Sequence, residues 1–278
     1  LITGASTGIG YASVKAFLAK GYQVYGSVRK EADASRLQTE FGQHFTPLLF
    51  DVTDPAAIAK AAEKVEAEIG KEGLAGLINN AGMATVGPLM LQELDNLRLQ
   101  FEVNVIGLMA VTQAFLPLLG AKKNPGFPPG RILMLSSVGG KISAPFVGAY
   151  SGSKHAVEGI ANSLRRELML YGVDVVIIGP GAIKTPIWEK PSATDISHLE
   201  GTDYEPSMKR FLKIFVKAGK MGLEADDLAQ RMLKVFEKKK PKARYTFAPN
   251  KFKDFTLVRL IPSRMLDRII AKQMELKP

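Results

Sequence analysis

Seven short runs rich in apolar and β-branched residues recur along the chain, most of them separated by stretches of helical periodicity, and this alternation constrains the fold more than any other feature. The runs are residues 1–3, 23–28, 45–50, 76–78, 131–135, 174–178 and 244–248. Several are apolar without strict alternation, as strands covered on both faces are. Helical patterns occupy residues 9–20, 55–69, 94–119, 149–171 and 225–239. Strand, helix and strand in succession make βαβ units, so the expected class is α/β with a doubly wound parallel sheet. A chain of 278 residues with 46% hydrophobic residues can bury one large core, and residues 1–278 are read as a single domain. The turn-rich stretch 122–130 is a loop within it, because a strand follows at once.

Two segments depart from the alternation. Around Pro186, Pro191 and Pro206 the pattern loosens, and residues 186–222 are expected to form a substrate loop or lid beyond the carboxyl end of a strand. Residues 250–278 form a C-terminal extension with Leu257, Leu260, Ile261, Leu266, Ile269 and Ile270 set among basic residues. A packed terminal segment is the preferred reading there, and a peripheral helix on a membrane surface is the alternative.

Composition removes whole classes of chemistry. There is no cysteine, which excludes disulfides, thiolate zinc sites, iron–sulfur clusters and a thiol nucleophile. His44, His155 and His198 have no metal-ligand spacing, so no metal site is expected. The net charge of +10 is uneven: residues 209–278 hold 19 Lys and Arg against 7 Asp and Glu, and the remainder holds 18 against 20. The densest cluster, Lys238-Lys239-Lys240-Pro241-Lys242 with Arg244, lacks interleaved aromatics and reads as a solvated helix end, so nucleic acid is not an expected partner. No uninterrupted apolar run reaches the roughly 20 residues of a spanning helix, and the expectation is a soluble, cytoplasmic protein. The chain opens at Leu1 without a methionine, which leaves a targeting segment ahead of it open.

Chemistry concentrates at the ends of the expected strands. Thr3-Gly4-Ala5-Ser6-Thr7-Gly8-Ile9-Gly10 follows one strand and opens a helix, where glycines let a pyrophosphate approach the backbone and free N–H groups face the anion. The next strand ends at Val28-Arg29-Lys30 with no carboxylate before Glu31. An arginine there suits a 2′-phosphate, so NADP(H) is favoured over NAD(H). Asp51-Val52 ends the third strand, with Asp51 either bonding an adenine amino group or capping a turn. Asn79-Asn80-Ala81-Gly82 ends the fourth and is expected both to shape a turn and to approach the cofactor. Ser136-Ser137 follows the fifth strand, and Tyr150 and Lys154 stand four apart at the start of a helix, hence on one face. An ammonium beside a phenol favours the phenolate, so Lys154 is expected to lower the pKa of Tyr150, while Ser137 could hold a carbonyl oxygen.

In this order and spacing the chain resembles the short-chain dehydrogenase/reductase family of the compact, single-domain type, through Thr3–Gly10, Asn79–Gly82, Asn104, Ser137, Tyr150, Lys154 and Pro180-Gly181-Ala182-Ile183-Lys184-Thr185. The resemblance implies a Rossmann-type fold and hydride transfer between NADP(H) and an alcohol or carbonyl. It makes Tyr150 the acid/base, with Lys154 tuning it and binding the nicotinamide ribose. Ser137 would orient the substrate oxygen and Asn104 would hold a water in a proton relay. Pro180, Gly181, Ile183 and Thr185 would contact the carboxamide. Gly4, Ser6, Thr7, Gly8, Ile9, Gly10, Arg29, Asp51, Val52, Asn80, Ala81 and Gly82, with Tyr150 itself beside Lys154, complete the expected cofactor contacts. Ala5, Ser6 and Thr7 stand where some NADP-dependent members carry a second basic residue, which keeps NAD(H) open. Val157-Glu158-Gly159 and Ser163-Leu164-Arg165-Arg166-Glu167-Leu168 look like the hydroxysteroid and retinol dehydrogenase branch, implying an apolar substrate. A homodimer or homotetramer is the family's usual assembly. The competing class is a non-catalytic nucleotide-binding regulator or scaffold of the same fold, disfavoured by the complete Asn, Ser, Tyr and Lys set.

Overall fold

Successive side chains of a strand point to opposite faces of its sheet, and in the central strands of this chain both faces are buried. A computed structural model, which describes residues 1–185 and 196–276, places Ile132 and Met134 in one apolar cluster and Leu133 and Leu135 in another. The next strand repeats this, with Val175 and Ile177 on one side and Val176 and Ile178 on the other. Each such side chain contributes on the order of 1.5–3 kcal/mol by leaving water.

The parallel strands are β1 (Val24–Val28), β2 (Phe45–Leu49), β3 (Gly76–Asn79), β4 (Arg131–Leu135), β5 (Asp174–Pro180) and, after a short pair β6 (Ile183–Lys184) and β7 (Leu223–Glu224), β8 (Arg244–Phe247). Ile2 bridges Gly26 of β1 and Ile78 of β3, so the order across the sheet is β2, β1, the N-terminal residues, β3, β4, β5, β8. The chain winds outward from Ile2 in one direction and returns past it in the other. Such a reversal opens a crevice outside the carboxyl ends of the strands.

Helices α1 (Gly8–Ala19) and α2 (Glu31–Phe41) cover one face. The other is covered by α3 (Pro55–Ile69), by a continuous helical stretch from Leu94 to Leu119 comprising α4 (Leu94–Phe101), a π-helical turn (Glu102–Gly107), α5 (Leu108–Phe115) and a final 3₁₀ turn, and by α6 (Gly148–Glu167). Beyond β5 lie α7 (Glu205–Lys220), α8 (Ala225–Phe236), which joins α1 and α2, and the terminal α9 (Ser263–Met274). The helical stretch Leu94–Leu119 is long and apolar enough, by length and composition, to cross a membrane, although polar residues from Asp95 to Asn104 interrupt its apolar runs; half of its most apolar window is buried inside the protein, with Val105, Val111 and Phe115 in the core.

Strand β4 and helix α3 coincide with their expected bounds. In α3 the reason is explicit: Asp54 accepts from the backbone N–H of Ala56 and Ala57 at 3.0 Å each, and Pro55 occupies the first helical position. Other segments differ. At the start the expected strand is reduced to isolated bridges of Ile2 with Gly26 and Ile78, closed by bonds from the Ile78 N–H to the Leu1 carbonyl and from the Thr3 N–H to the Ile78 carbonyl. Helix α2 lies in a stretch read as no element, because it buries only Ala34 and Leu37 and so carries almost no apolar stripe. Helix α7 stands inside the expected lid: Pro206 is in its first turn, where a missing N–H is harmless, so this proline starts a helix. The expected lid residues 186–195, including Trp188, lie outside the described residues.

Candidate active site

The glycine turn is bolted to the end of β3. Thr3 Oγ1 accepts from the backbone N–H of Asn80 and of Ala81 at 2.9 Å each, and Asn80 Nδ2 donates to the carbonyls of Thr3 (2.8 Å) and Gly4 (3.2 Å). Gly4 adopts φ +67°, and a Cβ on Gly10 would lie 2.1 Å from the Gly4 carbonyl oxygen, so neither position accepts a side chain. Ile9 packs inward, whereas Thr7 is exposed and extended and makes no side-chain cap. The first-turn N–H groups of α1 thus receive no side-chain cap from Thr7, and Thr185 closes the ledge: a Cβ on Gly8 would meet its methyl group at 3.2 Å. This backbone ledge fits a pyrophosphate, and its residues can hold a dinucleotide.

Arg29 and Asp51 meet at the ends of β1 and β2, with Nη1 and Oδ2 3.7 Å apart. Arg29 is mostly exposed, leaving its guanidinium accessible. Asp51 Oδ1 accepts from the N–H and hydroxyl of Thr53 at 3.0 and 2.9 Å, so it shapes the turn, while the cap of α3 is Asp54. Val52 is buried in the core, and a Cβ on Gly107 would stand 2.6 Å from its carbonyl oxygen. Val52 presents backbone, not side chain, to this edge.

Three strand spacings away, about 14 Å at roughly 4.8 Å each, the second constellation assembles. Ser137 leaves β4 in extended conformation, and its hydroxyl accepts from the N–H of Gly139 at 3.0 Å; the Tyr150 ring stands on the same side of Gly139, where a Cβ would meet Ser137 Oγ at 3.3 Å and Tyr150 Cε1 at 3.4 Å. Lys154, one turn further along α6, is buried and donates from Nζ to the Leu135 carbonyl at 2.8 Å. Burial lowers its pKa to about 8. Burial also dominates at Tyr150 and raises its pKa, with the Ser137 bond pulling the other way. The expectation that Lys154 lowers the tyrosine is therefore corrected: desolvation of the phenolate is the larger effect.

Asn104 lies in the π-helical turn of Glu102–Gly107, a local widening common at functional sites. Its side chain clamps the backbone of Met83, accepting from the N–H at 2.8 Å and donating to the carbonyl at 3.0 Å, and also donates to Ser153 Oγ at 3.0 Å. Gly82 is the meeting point: a Cβ there would lie 3.2 Å from Asn104 Oδ1 and 3.7 Å from Lys154 Nζ. On the far side, the Ser137 hydroxyl reaches the Pro180 carbonyl at 3.4 Å, Gly181 donates from its N–H to Phe247 at 2.7 Å, and Ile183 pairs with Leu223. Above Tyr150, Phe146, Val147, Leu199, Met208 and Phe211 build an apolar wall, and Met274 of α9 completes it.

Three contributors escaped the sequence reading. Thr3 was legible as part of the turn, but its hydroxyl's double acceptor role needs the tertiary structure. Ser153 bonds both Asn104 and the Tyr150 carbonyl, and its place just before Lys154 was its only signal. Arg36 of α2 donates to the Ser6 carbonyl at 2.8 Å, bringing a cation to the glycine turn from a helix the sequence did not reveal.

The family model described as short chain dehydrogenase matches residues 1–195. The NADPH-dependent 3-dehydrocapnine reductase of Ornithobacterium rhinotracheale is 44% identical over 275 residues, covering 99% of this chain and 96% of that protein. The 3-ketodihydrosphingosine reductase of Bacteroides thetaiotaomicron is 30% identical, covering 90% and 87%. Among solved structures, a short-chain dehydrogenase from Streptomyces avermitilis superposes with a TM-score of 0.76 at 26% identity, covering 99% of this chain and 93% of its own.

Proposed function

The chain belongs to the short-chain dehydrogenase family, and from that premise we propose that it reduces a ketone or aldehyde to the alcohol with NADPH, Tyr150 giving the proton. As a family member it is an NAD(P)-dependent oxidoreductase acting on CH–OH groups. The observation that carries the finer reading is the convergence of the Ser137 hydroxyl and the half-buried Tyr150 ring on Gly139, where a Cβ would lie 3.3 Å from Ser137 Oγ and 3.4 Å from Tyr150 Cε1, one helical turn from buried Lys154.

A bound nicotinamide supplies the hydride. Ser137 orients the substrate oxygen toward the phenol. The phenol is protonated at neutral pH, the form from which a proton can be given to a developing alkoxide, and desolvation moves its pKa further up. Lys154 supplies an adjacent cation and a ribose donor, and Asn104, fixed by Met83 and Ser153, anchors the water through which the phenol regains its proton. The glycine turn from Gly4 through Ser6, Thr7, Gly8 and Ile9 to Gly10 binds the pyrophosphate. Asn80, Ala81 and Gly82 line the same ledge, with Asp51 and Val52 toward the adenine, and Pro180, Gly181, Ile183 and Thr185 flank the nicotinamide.

The choice of NADPH is supported by Arg29, by the lack of a carboxylate at the end of β1 and by the name of the Ornithobacterium relative. The names of the two relatives, reductases of a 3-dehydro and a 3-keto compound, support a ketone substrate, and the wall of Phe146, Met208 and Phe211 suits one with an apolar body. We read the chain as one nucleotide-binding domain with a substrate loop expected over 186–222, of which the described residues 196–222 stand on the substrate side. Family members bind small molecules and commonly oligomerise. A homodimer or homotetramer would bury the exposed Leu99 and Ile106 of the long helical stretch and Met169 and Leu170 after α6.

The test is a screen of long-chain 3-keto amines, steroids, retinoids and small aldehydes while NADPH absorbance is followed. The reading expects saturable oxidation of NADPH with an apolar ketone. Turnover confined to small polar carbonyls would remove the apolar assignment.

A further inference from the structure

We propose that the buried ion pair of Glu158 and Arg244 is a positioning device for Ser137, acting through that residue's backbone carbonyl; the inference rests on the role given above to Ser137. Glu158 lies on α6 one turn beyond Lys154 and is 2% exposed. A carboxylate so buried requires compensation. Arg244 of β8 provides it, its Nε donating to both carboxylate oxygens at 2.9 and 3.1 Å, and Lys141 Nζ stands 3.3 Å away. The guanidinium has further donors: Nη1 bonds Thr246 Oγ1, and Nη2 donates to the Ser137 carbonyl at 3.2 Å.

The surroundings are shaped around this reach. A Cβ on Gly179 would fall 2.3 Å from Arg244 Nη2, so only glycine lets the side chain cross β5. The ring of Phe255, from the C-terminal extension, sits with its centre 5.0 Å from the guanidinium carbon. The turn after Ser137 packs against the stem of the same side chain, because a Cβ on Gly140 would meet the Glu158 Cγ methylene at 3.1 Å. Stability alone is a weak reason for this arrangement, since well-packed apolar residues commonly replace a buried ion pair without loss. What an apolar pair cannot do is donate to the Ser137 carbonyl. With that carbonyl held from β8 and the hydroxyl held by Gly139, both ends of Ser137 are fixed while it faces Tyr150. Glu158, noted in the sequence only as part of Val157-Glu158-Gly159, and the extension carrying Phe255 thereby acquire a place in the site.

The experiment compares kcat and the NADPH dissociation constant in Ser137→Ala, in the double variant Glu158→Leu with Arg244→Met, and in Arg244→Lys, each checked for cooperative melting. The double variant removes both charges and keeps the volume. Arg244→Lys keeps the charge at Glu158 but lacks the planar fork that serves two partners at once. Both are expected to lose kcat about tenfold or more, as small misplacements of reacting groups do, while NADPH affinity stays near that of the wild type. Wild-type kcat in either folded variant, with Ser137→Ala inactive, overturns the inference and leaves the role of Ser137 standing. Full activity in Ser137→Ala overturns the reading on which the inference rests. If the double variant does not fold, Arg244→Lys decides alone.

Discussion

Lys154 donates from Nζ to the carbonyl of Leu135 at 2.8 Å, and the same nitrogen stands 5.8 Å from the centre of the Tyr150 ring. The lysine is thus anchored to the end of β4 rather than to the phenol, and burial disfavours the charged form of both groups. A phenol whose neutral form is favoured and a lysine whose pKa is lowered to about 8 thus stand one helical turn apart on α6.

The anchored lysine leaves a mark on stability. Its pKa is about 8 in the folded protein and near 10.4 in an unfolded chain. The unfolded state binds more protons between these values, so this group's penalty is full below pH 8 and is relieved as the pH rises toward 10.4, by about 3 kcal/mol in all. Lys154→Met removes the penalty. Denaturant unfolding at pH 7.5 and 9.5 is expected to show the variant losing ground to the wild type as the pH rises. A pH-independent difference would contradict the buried cation.

Arg29 is expected to set cofactor choice without holding the fold. Its pair with Asp51 is exposed and contributes little stability, whereas a charge-assisted bond to a 2′-phosphate is worth about 1.5–3 kcal/mol. Arg29→Ala should lower the ratio of kcat/KM with NADPH to that with NADH by roughly 10- to 100-fold, with the melting temperature nearly unchanged. An unaltered ratio would shift attention to Arg36.

Two glycines should respond with opposite signs. Gly10→Ala drives a Cβ into the Gly4 carbonyl at 2.1 Å and should destabilise the protein by about 1–3 kcal/mol while weakening cofactor binding. Gly159, exposed on α6 with nothing within 4 Å of a Cβ, should gain about 0.5–1 kcal/mol on replacement by alanine. Thermal melts of the two variants, with and without NADPH, check both.

How far the sequence foretold this structure depends on how local each determinant is. Helix α3 was readable because its cap, its first-turn proline and its apolar stripe all lie within sixteen consecutive residues. Ser137, Tyr150 and Lys154 were readable because strand end and helix start are local features, and one helical turn separates the last two. Arg36 was not, since α2 buries too little to show a period and its target, Ser6, lies thirty positions away. Pro206 misled because a proline ends one helix and starts another. The Tyr150 pKa was misjudged because charge spacing is visible in a sequence, whereas the desolvation that outweighs it exists only after packing.

The central claim is that the Tyr150 phenol gives the proton while the cofactor is held by other residues. Turnover of the best ketone and NADPH binding, measured side by side in the wild type and in Tyr150→Phe, test it most directly. The account predicts loss of turnover by at least about 100-fold, as for removal of a positioned general acid, with the NADPH dissociation constant changed little. Turnover near that of the wild type in Tyr150→Phe would contradict it.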